Sequence, residues 1–248
     1  KPTQMFNKKY PFFTGSSKFM KIHFKNYANY IKKHIQPGSK LIEIGSNDGT
    51  FLSNFDKKKI NVIGVEPSKN VSDIAKSKGI NSINKFFDKD IIKSIKQHKY
   101  NTDIICAANV ICHVPNLVEL IQTIDLLLSK NGKFIFEEPY MGSMFKKTSY
   151  DQIYDEHIYM FSCNSVKKIF KLFDLHLTNA IPQITHGGSM RYVISRNKSN
   201  NKNLNKILDY EKKMNLDNLQ SCMEFKKNCE ISKIKLNKKI NSIKNKGK

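Results

Sequence analysis

The sequence predicts an α/β fold: a seven-stranded, mostly parallel sheet covered by helices, with antiparallel last strands. Three observations predict it. Short apolar runs alternate with amphipathic stretches over residues 40–139, as strands joined by crossover helices do. The run at 103–108 is continuously apolar after its first residue, as a strand buried on both faces must be. A Gly-rich loop, Gly45-Ser46-Asn47-Asp48-Gly49, follows the first run directly, where such sheets turn into their first helix.

The elements follow in order. Residues 1–20 are aromatic and polar, with a turn-like Thr14-Gly15-Ser16-Ser17. A helix is expected over 19–35, stopped by Pro37-Gly38. Strands are expected at 40–44, at 61–65 ending in Glu66-Pro67, weakly at 80–83, at 103–108, and at 133–136 ending in Glu137-Glu138-Pro139. Helical patterns fill 71–78, 90–97 and 117–129. Beyond Pro139 the alternation breaks, and 140–160 has no period that predicts an element. A helix at 165–173 precedes two β-like segments, 176–184 and 189–195, separated by Thr185-His186-Gly187-Gly188. From Lys198 the chain is lysine-rich and helical, with apolar Leu204, Ile207 and Leu208, later Ile231, Ile234, Leu236 and Ile240.

Composition excludes several classes. With 39% hydrophobic and 10% aromatic residues in 248, the chain can bury a core. Its apolar runs fall far short of the ~20 residues of a membrane helix. The five cysteines are odd in number and form no CxxC pair, which argues against a disulfide framework and against zinc and fits a reducing, cytoplasmic setting. The net charge of +22 alone suggests nucleic acid. However, only Arg191 and Arg196 among the 43 basic residues are arginine, and AT-rich codons yield such lysine, Asn and Ile enrichment without any partner. A nucleic-acid-binding module therefore stands only as the reading from another class.

The stretch Leu41-Ile42-Glu43-Ile44-Gly45-Ser46-Asn47-Asp48-Gly49-Thr50 carries the strongest signal. Gly45 and Gly49 let the backbone turn tightly and approach a ligand. Their spacing, with no third glycine following, is wrong for a dinucleotide pyrophosphate and argues against a dehydrogenase. The stretch resembles motif I of the class I S-adenosylmethionine (SAM) methyltransferases, Glu/Asp-x-Gly-x-Gly-x-Gly, with Asn47 in the place of the middle glycine. The resemblance implies a Rossmann-like fold with SAM as cofactor. It puts Gly45, Ser46, Asn47, Asp48 and Gly49 at the amino-acid end and ribose, with Glu43 facing the methionine ammonium through the local network. Glu66, followed by Pro67 at the tip of the second strand, can accept hydrogen bonds from both ribose hydroxyls. Either motif alone also reads as a plain turn or a helix cap. A third stretch, Ala107-Ala108-Asn109-Val110-Ile111-Cys112-His113, ends the fourth strand. It puts Asn109 and Val110 along the cofactor and His113 towards the acceptor or in a structural loop role. Phe86 after the third strand flanks the adenine or packs in the core.

Three further stretches sharpen the resemblance: Tyr154-Asp155-Glu156-His157, His186-Gly187-Gly188-Ser189-Met190-Arg191, and Tyr10-Pro11-Phe12-Phe13 near the N-terminus. Together with the motifs above they resemble the sugar C-methyltransferases that act on nucleotide-linked ketodeoxysugars. The usual residue before Glu-His in that family is another His, where this chain has Asp155. The family's cysteine-rich zinc domain has no counterpart here, so no metal is expected. The resemblance implies carbon methylation through an enolate, with His157 as base, Tyr154 on the developing oxyanion, Glu156 orienting or binding sugar hydroxyls, and Tyr10 and His113 entering the same pocket. His186, Gly187 and Gly188 would reach the acceptor, a small molecule such as a nucleotide sugar. An aromatic core patch is the alternative for 154–161, and O- or N-methylation of another small polar metabolite or glycan precursor the alternative reaction. The implied organisation is an N-terminal substrate-side segment and helix at 1–36, a SAM-methyltransferase domain at 37–197, and lysine-rich C-terminal linker helices at 198–248, before a further domain.

Overall fold

The structure, a computed structural model, describes residues 2–96 and 101–247. After a short helix α1 (Pro2–Met5), residues 6–17 run through turns and a short 3-10 turn (Thr14–Ser16) to α2 (Lys18–Lys32), whose first turn is capped by the Ser17 hydroxyl accepting from the Met20 amide. Strands and helices then alternate: β1 (Lys40–Ile44), β2 (Asn61–Val65), α3 (Lys69–Ser77), β3 (Asn81–Ile83), α4 (Ile91–Lys96), β4 (Thr102–Ala108), α5 (Leu117–Leu127) and β5 (Leu128–Pro139). Gln97, the last residue of the expected fourth-strand approach helix, lies outside the described residues. The chain continues through α6 (Met141–Lys147), α7 (Cys163–Lys171), β6 (His176–Gln183), β7 (Ser189–Ser195), α8 (Lys202–Lys213) and α9 (Leu219–Asn245).

The seven strands form one sheet in the order β3-β2-β1-β4-β5-β7-β6. All neighbours are parallel except β7, which runs antiparallel to both β5 and β6. The order reverses between β1 and β4, and open sheets of this kind bind ligands at the carboxyl ends of the strands flanking that point. Each central strand is buried on both faces. Ile42, Ile44, Ile105, Phe134 and Phe136 enter one core cluster, while Leu41, Ile104, Cys106 and Ile135 enter the other. The period-2 alternation of side chains accounts for that split.

Three elements differ from expectation. Helix α2 ends at Lys32, short of Ile35. Strand β5 begins at Leu128, five residues early, because Leu128 pairs with Thr102 across a register irregularity. Within 140–160, α6 forms, held by a bridge between Tyr140 and Phe161. These last contacts join residues far apart in sequence, so no local period announces them.

Helix α8 packs onto the sheet through Leu204, Ile207 and Leu208. Its Glu211, 3% exposed, accepts from the Tyr140 hydroxyl (2.9 Å) and from the Cys163 and Asn164 amides (2.6 and 2.8 Å), so it caps the N-terminus of α7. Helix α9 is seated only at its start, where Phe225 stacks on Phe145. The Glu211→Ala variant should lose about 2–4 kcal/mol of stability in urea unfolding, because it strands two buried donors and a part-buried one at once. A loss under about 0.5 kcal/mol would show that water replaces the carboxylate without penalty.

Candidate active site

A cavity of about 650 Å³ opens at the carboxyl ends of β1, β2 and β4. The loop after β1 forms one wall. Gly45 has a φ of 67°, and a Cβ there would stand 2.4 Å from Val110 Cγ2, so only glycine lets the β1 and β4 loops meet. Asn47, at φ 47°, occupies the middle glycine position of the motif in the left-handed region that Asn tolerates best after Gly. Glu66 stands on the wall at the end of β2, accepting from the Asn47 and Ser68 amides at 3.0 and 2.7 Å. Burial pushes its carboxyl above the usual range, against the pull of those amides. Each oxygen keeps a lone pair for a further donor.

The β4 loop forms the opposite wall. Asn109 is left-handed (φ 55°), lines the cavity, and leaves its Oδ1 buried without a protein partner. Val110 and Ile111 give their amides to Glu138 Oε1 at 2.9 and 2.6 Å. That carboxyl is fully buried, and burial pushes it to about 7 although these amides pull it down.

At the far end stand Tyr154, Glu156, His157, His113 and His186. His157 Nδ1 lies 2.8 Å from the Gln152 carbonyl, which can only accept, so Nδ1 carries the hydrogen. Burial lowers the affinity of His157 for a proton, the Gln152 carbonyl works against this, and His113 adds to the lowering. The ring is then neutral, and Nε2 accepts from the Tyr154 hydroxyl at 2.7 Å. His113 gives Nδ1–H to the Glu156 carbonyl (2.7 Å), and its ring centre is 5.1 Å from that of His157. Cys112, His113 and His157 bring donor atoms to within 4.8 Å of one another. Cys112 is buried, and both His157 nitrogens are hydrogen-bonded within the protein, Nδ1 to the Gln152 carbonyl and Nε2 to the Tyr154 hydroxyl.

The N-terminal segment roofs the cavity with Met5, Phe6, Tyr10 and Phe12. Tyr10 bridges its two ends: burial, then the fields of Glu66, Glu156 and Tyr154, push its phenol to about 12. The sequence marked Tyr10, within the stretch Tyr10-Pro11-Phe12-Phe13, but not Met5 or Phe6, whose apolar and aromatic types suit any core. Nor did it mark Glu138, since a charged residue at a strand end ordinarily faces water.

Of the expected cofactor residues, Gly45, Asn47, Glu66, Pro67, Phe86, Asn109 and Val110 line the cavity. Glu43, Ser46, Asp48 and Gly49 are not on its wall. The strand period turns Glu43 away from Ile44 and into the opposite core, where burial first, then Glu66 and Asp48, raise its carboxyl well above the usual range. Ser46 is pressed against Gly64, where a Cβ would stand 2.4 Å from its Oγ. Asp48 accepts from the Gly15 amide and lies 3.3 Å from Lys78 Nζ. Gly49 packs against Ala75 and Ile80. On the acceptor side, His186 lines the cavity but Gly187 and Gly188 do not. A Cβ at Gly188 would stand 2.6 Å from Ser143, so the pair lets the backbone turn close to α6.

The methyltransferase domain family matches residues 21–180. The chain belongs to that family. Its methyl donor is S-adenosylmethionine, and the cavity suits it: Glu66 has spare lone pairs, Asn109 Oδ1 lacks a partner, and Gly45 leaves no Cβ in the way. A second family, described as a C-methyltransferase C-terminal domain, matches residues 184–248. C-methyltransferase NovU of Streptomyces niveus is 28% identical over 153 residues, 62% of this chain and 36% of the relative. The matched stretch thus spans about a third of that relative's length. Solved structures share the fold. Magnesium protoporphyrin IX methyltransferase from Synechocystis with bound SAM has a TM-score of 0.52 at 12% identity, over 71% of this chain and 79% of that one. A TehB-like SAM-dependent methyltransferase from Corynebacterium glutamicum has a TM-score of 0.51 at 16% identity, over 71% and 99%.

The methyltransferase domain should bind SAM more weakly when Glu66 is changed to Ala. Calorimetry should read a loss of about 1.5–3 kcal/mol, the range for hydrogen bonds to a charged group. Unchanged affinity would remove Glu66 from the cofactor site.

Proposed function

We propose that this methyltransferase domain methylates carbon next to the ketone of a nucleotide-activated keto(deoxy)sugar. The observation that carries the reading is the Tyr154–His157 pair at the far end of the cavity, oriented by the Gln152 carbonyl. Carbon methylation needs a base, because the C–H beside a ketone must lose its proton before the carbon becomes a nucleophile. A neutral imidazole whose Nε2 lone pair is held only by an exchangeable phenol hydrogen bond suits that role near neutral pH. The similarity to C-methyltransferase NovU and to a C-methyltransferase C-terminal domain supports the same chemistry.

SAM, when bound, supplies an electrophilic methyl group. Everything else falls to the chain. Glu66, Asn47, Val110 and Asn109 line the end that would hold the donor, and Gly45 keeps the backbone close. A sugar C–H brought to His157 Nε2 displaces the Tyr154 hydroxyl. The proton then passes to Nε2, and the freed phenol donates to the enolate oxygen that develops beside it. Gln152 keeps the ring in the tautomer that exposes Nε2. Glu156, on the cavity wall, is placed to accept from sugar hydroxyls. The apolar roof of Phe6 and Phe12 keeps water from competing for the base.

The test is single-turnover methyl transfer to a panel of nucleotide-linked ketosugars, with the product methyl located by NMR. His157→Asn should lower the rate by about 100-fold or more while SAM affinity stays unchanged. The wild-type rate should fall as pH drops through a value below 6.5, where the imidazole protonates, and the variant should lack that limb. An unimpaired variant would place the base elsewhere. A methyl on oxygen or nitrogen would replace carbon methylation with the alternative reaction.

A further inference from the structure

Segment 10–16, which ends in a 3-10 turn at Thr14–Ser16, is fixed to the loop after β1 by side chains to which the proposed proton transfer assigns no role. Asn47 grips it twice: Oδ1 accepts from the Thr14 amide at 3.0 Å, and Nδ2 donates to the Phe12 carbonyl at 3.1 Å. This is the two-way pattern a strand partner would offer. Asp48 Oδ2 accepts from the Gly15 amide at 3.0 Å, and Asn70 Nδ2 donates to the Tyr10 carbonyl at 2.8 Å. The fit is close, since a Cβ on Gly15 would stand 2.6 Å from Asp48 Oδ2. The same Asn47 gives its backbone amide to Glu66, on the cofactor wall. One residue therefore joins the cofactor's acid to the roof above it.

A glycine at position 47 would satisfy the φ of 47° with less strain. The side chain is thus an addition to what the turn needs, and its use is the grip on the roof. We propose that Asn47 is a positioning residue that latches segment 10–16 as a lid over the cofactor end of the cavity. Entry and release of SAM and of its demethylated product, S-adenosylhomocysteine, are then gated by this latch. Tyr10, carried by the lid, reaches the fields of both Glu66 and Glu156, so the lid spans donor and acceptor ends together. The proposal concerns cofactor exchange alone and stands whatever the acceptor is.

The test reads S-adenosylhomocysteine dissociation by stopped flow, beside trypsin cleavage at the exposed Lys8 and Lys9. Asn47→Gly keeps the backbone conformation and removes the latch. It should release the product about tenfold faster or more, the effect of two lost hydrogen bonds, and be cleaved faster in the same proportion. Asn47→Asp keeps the acceptor for Thr14 but has no donor for Phe12, and should fall between. Gly15→Ala pushes the lid away from the other side, against Asp48, and leaves the Asn47 bond to Glu66 in place. It should also accelerate release. Wild-type release and cleavage in Asn47→Gly would overturn the latch. Faster release in Asn47→Gly but not in Gly15→Ala would overturn the lid, because the effect would then stay at position 47 and not follow displacement of segment 10–16.

Discussion

Two consecutive buried carboxylates at the end of β5 hold the site together. The strand period sends Glu137 to one face of the sheet and Glu138 to the other. Glu137 meets the Arg191 guanidinium from β7 (2.7 Å to Nε) and His23 Nε2 from α2 (2.6 Å). Arg191 also lies flat over Tyr27 and Tyr30 of α2, with centroid distances of 4.3 and 4.9 Å. Glu138 instead receives the amides that begin the β4 loop. One acid thus ties the helix that follows the roof to the sheet, while its neighbour fixes the loop carrying Asn109 and His113. A buried charge is costly unless partnered, so both attachments are strongly specified. The cavity lies between the two elements so fixed.

The sequence disclosed the elements that are periodic and local. The strands of the parallel sheet announce themselves by apolarity, and the loop after β1 by glycines whose positive φ leaves few alternatives. The cofactor wall was therefore largely legible, from Gly45 to Glu66 and Asn109. The residues of that motif that lie off the cavity wall share a cause. Glu43, Ser46, Asp48 and Gly49 lie within the right motif, but a motif says which stretch meets the ligand and not which way each side chain turns. The alternation along β1 and the sharp turn after it send these four into packing, and Asp48 onto the roof. Segment 140–160 was opaque because tertiary partners shape it: Phe161 bridges Tyr140, and Glu211 accepts the Tyr140 hydroxyl from a helix some 70 residues on. The Glu137–Arg191–His23 cluster was unreadable for the same reason.

Two histidines at the far end of the cavity, His157 and His186, are held below their ordinary proton affinity, chiefly by burial. Burial lowers the proton affinity of His157, and His113 adds to it. Burial likewise lowers that of His186, with His157 and His23 adding to it. Burial and a neighbouring imidazole both disfavour the charged form of His157 and of His186. Neutrality matters to the chemistry. An imidazolium could anchor an anion but could not take a proton, and a lowered proton affinity keeps the ring available as a base. The Tyr154 phenol, which burial pushes above its ordinary range, complements this by staying protonated as a donor. On the proposed reading, a neutral base and a neutral acid at 2.7 Å face the acceptor together. That pairing suits removal of a carbon-bound proton as charge moves onto an adjacent oxygen, with no fixed charge created in the pocket before the reaction begins.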